Sequence, residues 1–204
     1  MGTRLQLYAF KGSSTQAFAG AFHAVAAGLR DELARSRPPQ AERIDCRMAS
    51  NEDVHTLYLG RESGTGQRIA REIGLRLTIP WLHLLIGEDT TWEYQLYQGS
   101  ACLDKFSVCP QYWDDDPNFI AEHRGNPDLL AAAWSIPKER IVNYLVNWQM
   151  RDLDDATFEF MLSGKAYETD RFSYGEIWQM FDFLNALGGK DPVNLEAGAK
   201  QHIL

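Results

Sequence analysis

The chain has 204 residues, 45% of them apolar and 24% charged, and a formal net charge of −8. That is enough apolar side chain for a sizeable core, and it excludes a disordered or low-complexity polypeptide. No apolar run nears the roughly 18 residues needed to span a bilayer, so no membrane partner is expected. The acidic balance disfavours nucleic acid, whose binding rests on neutralising phosphates with Lys and Arg.

The charge is unevenly placed. Residues 1–80 hold 11 Lys and Arg against 8 Asp and Glu, whereas residues 81–204 hold 9 against 20 and carry all six tryptophans. A protein partner with a basic surface suits that second part. The opening "MGTRLQLYAF" lacks the basic and apolar pattern of a secretory leader, and Gln6 stands where the myristoylation pattern requires Ser or Thr. Cys46, Cys102 and Cys109 are too few and too irregular for a disulfide framework. A cytoplasmic location is the expectation.

In chain order, Leu5, Leu7 and Phe10 predict a first strand. Phe18, Phe22, Val25, Ala26, Leu29 and Leu33 then recur at helical spacing, predicting a long helix capped by Ser14 or Thr15 and stopped by "SRPPQ". A strand is expected over 54–60, preceded by a short one near 44–48. Ile69, Ile73 and Leu77 predict a helix behind the glycine-rich stretch 60–68. Strands over 79–86, 91–98 and 101–106, joined by "GEDT" and "QGS", predict a three-strand meander. In its middle strand Trp92, Tyr94 and Leu96 alternate with Glu93, Gln95 and Tyr97.

The remainder reads as mainly helical. Asn126 and Pro127 start one helix, and Ile141, Leu145 and Trp148 form the stripe of a second. "DDATFEFML" is ambiguous between helix and strand. Ser173 and Glu176 form a capping box for a last helix that Gly188 ends, leaving a frayed or loosely docked tail from Lys190. The fold class is therefore α+β, with a mixed or antiparallel sheet, a long N-terminal helix and a helical C-terminal part. A single domain over 1–204 is expected, any lobe boundary falling near 78–80.

Chemical motifs mostly fail on inspection. In 60–68, Gly66 is followed by Gln67 and Arg68 rather than the Lys and Ser or Thr of a phosphate-binding loop, so the stretch reads as a turn and helix start. Arg61 and Arg68 remain candidates for an anion contact. "DDDPNF" places Asp114, Asp116 and Asn118 like the first ligands of a calcium loop, but Phe119 and Gly125 stand where the required Gly and Glu belong. The spacing of Cys102 and Cys109 does not suit zinc, and neither a metal nor a cofactor is expected. No nucleophile elbow occurs. Acid–base chemistry, if present, would draw on His83, Glu93 and Asp104, which lie on neighbouring predicted strands.

Tyr112 and Trp113 differ from the other aromatics. They precede Asp114, Asp115 and Asp116 in a proline-bounded loop without amphipathic period, and aromatic rings beside charge typify protein-binding hot spots. The competing reading tucks Trp113 over the sheet to close the core. In class, though in no motif, the chain resembles small acidic α+β proteins that neutralise a basic partner, as bacterial immunity proteins and antitoxins do. The expectation is a non-enzymatic protein-binding module acting through Tyr112, Trp113, Asp114, Asp115 and Asp116. The alternative is a small-molecule sensor or an enzyme with a pocket between the sheet and the C-terminal helices, and a homo-oligomer is a third possibility.

Overall fold

The computed structural model describes residues 5–35, 45–59, 64–87, 91–147, 177–191 and 200–203. The chain is an α+β protein built on a seven-stranded sheet of order β6-β5-β4-β1-β3-β2-β7. Its strands are β1 Leu5–Lys11, β2 Asp45–Asn51, β3 Val54–Leu59, β4 Pro80–Gly87, β5 Thr91–Gln98, β6 Ala101–Ser107 and β7 Lys200–Ile203. Every neighbouring pair is antiparallel. β1 lies between β3 and β4, so strands from either side of residues 78–80 share one continuous ladder. The tail beyond Lys190, expected to be frayed or loosely docked, includes the edge strand β7 paired to β2.

Helices cover both faces, as the two-residue period of the strands dictates. On one face Tyr8, Phe10, Leu57, Leu59 and Trp81 pack beneath α1 (Thr15–Arg35) and α2 (Gly64–Leu77), which bring Phe18, Phe22, Val25, Leu29, Ile69 and Ile73. On the other, Leu7, Leu82, Leu84, Trp92, Tyr94, Leu96 and Phe106 meet Leu130 and Trp134 of α4 (Pro127–Trp134) and Met180, Phe183 and Leu184 of α5 (Ile177–Ala186). A one-turn helix, α3 (Pro117–Glu122), lies between β6 and α4. Trp92 crosses from sheet to helix layer by donating its indole Nε1–H to Gln179 Oε1 at 2.7 Å, both side chains being buried. Among the described residues no helix is long and apolar enough to cross a membrane.

Local chemistry sets the helix ends. Asn126 caps α4, its side chain accepting from Leu129 N at 3.0 Å with Pro127 in the first turn. After α5, Gly188 takes φ +85°, and Gly188 N and Gly189 N donate to Asn185 O and Leu184 O, a Schellman closure that glycine permits without strain. Its expected start at Ser173 and Glu176 lies outside the described residues, as does "DDATFEFML".

One element differs from its predicted form. In place of a helix carrying Ile141 and Leu145, the chain makes two 3-10 turns, Lys138–Arg140 and Val142–Tyr144. Pro137 fixes an extended entry with ψ 135°, and the β-branched Ile141 and Val142 with Asn143 favour helix weakly. Trp148, the third member of that stripe, lies outside the described residues.

Gly66 and Gly74 of α2 face the sheet. Gly66 sits against the Tyr8 hydroxyl, 3.0 Å from where a Cβ would be, and at Gly74 a Cβ would lie 2.4 Å from Trp81 Cδ1. These buried glycines, with Ala70 between them, let the helix backbone approach β1 and β4 closely. Gly66 and Gly74 of "GTGQRIAREIG" thus have a packing explanation.

Candidate functional site

The loop 108–116 leaves β6 through a 3-10 turn, Pro110–Tyr112. Its course is set by its own polar groups. Trp113 N and Asp114 N both donate to Pro110 O, Asp114 Oδ1 accepts from Asp116 N at 2.9 Å, and Asp116 Oδ1 accepts from Asn118 N at 2.9 Å to cap α3. Two of the three aspartates therefore hold the backbone while their charge stays at the surface. Asp114, Asp115 and Asp116 are all exposed.

Tyr112 and Trp113 are each 47% exposed and meet edge to face, with ring centroids 5.0 Å apart. The indole also lies over Gly87 at the end of β4, where a Cβ would come within 3.4 Å of Trp113 Cζ2. Trp113 thus rests on the sheet end and leaves about half its surface to solvent. The core-closing reading requires burial, and the indole does not have it.

The second candidate set is divided by the sheet. Without irregularity, the hairpin beginning Gln98↔Ala101 and Tyr97↔Cys102 would bring Asp104 opposite Gln95, on the face of Glu93 and His83. A bulge between Leu96 and Tyr97 shifts the register, pairing Asp104 with Leu96. One extra residue sends every following side chain to the other face. Asp104 accordingly serves the opposite layer, where its Oδ2 accepts from Tyr94 Oη at 2.6 Å and Asn126 N at 2.9 Å, tying α4 to the sheet. Burial, then the Asp104 charge, holds the Tyr94 phenol well above its ordinary range. His83, Glu93 and Asp104 do not form one acid–base constellation.

His83 and Glu93 share a face. His83 pairs with Gln95, and Glu93 with Leu85 and Ser107, which places histidine and glutamate diagonally across β4 and β5. The imidazole is 5% exposed and stacks on Tyr8 at 4.8 Å, and among the described residues neither ring nitrogen has a hydrogen-bond partner. Burial alone pushes its pKa down to about 4, and burial raises that of Glu93. His83 is thus a neutral ring in a dry setting, as a core histidine is. Ser107, opposite Glu93, also has a buried hydroxyl without a partner among the described residues; its strand-end position gave no signal in the sequence.

Arg68, an anion candidate, is engaged within the fold. Its guanidinium makes a two-pronged contact with Glu32 of α1, Nη1 to Oε1 at 2.9 Å and Nη2 to Oε2, which clamps α2 to α1. Arg61 lies outside the described residues. Among the described residues no three His, Cys, Asp or Glu side chains converge as a metal site. In comparisons with known proteins, the chain matches no family model, no curated protein and no solved structure.

Proposed function

We propose that the protein is a non-enzymatic binding module that docks a basic protein partner through Tyr112, Trp113, Asp114, Asp115 and Asp116, in the manner of an immunity or antitoxin protein acting in the cytoplasm. The observation that carries this reading is the half-exposed Tyr112 and Trp113 pair, fixed edge to face beside three exposed aspartates in a loop ordered by its own side chains. A loop ordered before binding has little entropy left to lose on docking, and half-exposed rings supply area that desolvates at once. The carboxylates supply long-range attraction to a cationic surface and a charge-matched rim. The net charge of −8 works in the same direction.

The triple variant Asp114→Asn, Asp115→Asn, Asp116→Asn separates charge from structure. Asparagine caps helices about as well as aspartate, so the loop is expected to keep its shape while losing three negative charges. Binding to the products of adjacent reading frames, where a neutralised toxin is commonly encoded, is measured by surface plasmon resonance. The expected result is an association rate lower by about tenfold or more with a shallower salt dependence. An unchanged rate and salt slope for a partner so found would reject the acidic surface as the docking element.

A further inference from the structure

Phe10, Trp81 and Tyr97 are direct cross-strand partners on β1, β4 and β5, and their rings form a ladder across the α2 face of the sheet. Phe10 and Trp81 stack at 6.3 Å and 22°, Trp81 and Tyr97 at 4.2 Å and 10°. The next position, paired with Tyr97 on β6, is Cys102, an exposed free thiol. Among the described residues the ladder therefore ends at Tyr97 without a further ring. Trp81 and Tyr97 line a cleft of about 540 Å³ between α2 and the β4 and β5 strands. The Tyr97 hydroxyl donates to Gln95 Oε1 at 2.6 Å, which fixes the ring in place.

The α2 wall lines the cleft with Gln67, whose side chain hydrogen-bonds the Tyr97 hydroxyl, and with Arg71 and Glu72, while Ser100 lines it from the β5–β6 turn. Arg68 reaches the same wall but is engaged with Glu32. Arg71 is exposed on α2, in a cleft whose other arginine is already paired. Glu72 beside it limits how much negative charge the wall accepts.

We infer that this cleft binds a planar aromatic ring carrying a single negative charge, the ring packing against Tyr97 where it lines the cleft and the anionic group meeting Arg71. The size suits a small ligand. Stacked aromatic rings gain energy beyond the area they bury, and guanidinium pairs with carboxylate or phosphate through charge-assisted hydrogen bonds. The site lies at the opposite end of β4 from Gly87 and Trp113, about 20 Å away at strand rise, and stands independently of the docking reading.

Calorimetric titration with indole-3-acetate and with cyclic AMP offers a carboxylate and a phosphodiester, each a monoanion on a planar ring. Indole-3-acetamide and adenosine are their neutral counterparts. At least one monoanion is expected to bind, and its neutral counterpart to bind about tenfold more weakly. Arg71→Gln, at an exposed position that leaves the fold intact, is expected to erase that difference, and Tyr97→Leu to abolish binding of both. Binding of only one monoanion identifies the anionic group. No heat with either monoanion at millimolar concentration, or binding unaffected by Arg71→Gln, overturns the inference.

Discussion

Gly74→Ala is expected to destabilise the fold by about 2–3 kcal/mol, the upper part of the range for overpacking a buried site. The new Cβ would lie 2.4 Å from Trp81 Cδ1 and 2.6 Å from Nε1. That indole has no room to yield. It is 1% exposed, stacked between Phe10 and Tyr97, and tethered by its Nε1–H to Gly99 O at 3.0 Å. Either the helix lifts from the sheet or the ladder breaks. Gly20→Ala in α1 is the matched control, since nothing lies within 4 Å of its added Cβ, and helix propensity alone predicts a gain of about 0.5–1 kcal/mol. Urea unfolding of the two variants checks the contrast. Equal effects would mean that α2 does not rest on Trp81.

The second large effect is a loss of stability in mild acid. Burial lowers the folded-state pKa of His83 from 6.5 to about 4, so the unfolded chain takes up a proton first as pH falls. Stability from this group is full above about pH 6.5 and is lost as pH falls towards 4, by about 3 kcal/mol in all. His55 is depressed for the same reason and adds in the same direction. Glu93 opposes them: burial raises its folded-state pKa, so its contribution is present below the ordinary carboxylate range and lost as pH rises through the raised value. His83→Phe keeps a ring against Tyr8 and removes two nitrogens that lack partners among the described residues. It is expected to cost less than about 1 kcal/mol at pH 7 and to flatten the stability profile between pH 4 and 6.5, leaving the slope due to His55. Glu93→Gln should steepen that profile. A His83→Phe profile as steep as the wild type's would place the acid sensitivity elsewhere.

Much of the fold was legible because it follows from local rules. The stripe of Phe18, Phe22, Val25, Ala26 and Leu29 has the period of a helix lying on a core, and the alternation in β5 has the period of a strand. Asn126 and Pro127 announce a helix start by the hydrogen bond one makes and the φ the other fixes. The position of β1 between β3 and β4 was not legible, since it depends on pairings between segments distant in sequence. The bulge between Leu96 and Tyr97 had no local sign either, and it alone moved Asp104 away from His83 and Glu93. The glycines of α2 were visible as a pattern, but the reason for Gly66 and Gly74, the approach to Tyr8 and Trp81, needed three-dimensional contact.

The candidate docking loop was legible in composition and not in geometry. Its residues stood out as aromatic and acidic, yet the place where Trp113 rests, over Gly87, lies 26 positions earlier in the chain. Asp114 and Asp116 combine two roles that the sequence did not separate: backbone capping and surface charge.

The docking account is tested most directly by photocrosslinking. Trp113 is replaced by p-benzoylphenylalanine, and Leu75, 42% exposed on α2, receives the same group as a control. After irradiation of cells producing the protein, a discrete adduct with a basic protein is predicted from position 113 but not from position 75. Capture of that partner by the Asp114→Asn, Asp115→Asn, Asp116→Asn form should fall sharply, and it should weaken as salt screens the charges. No adduct from position 113, or the same adducts in equal yield from position 75, would contradict the account.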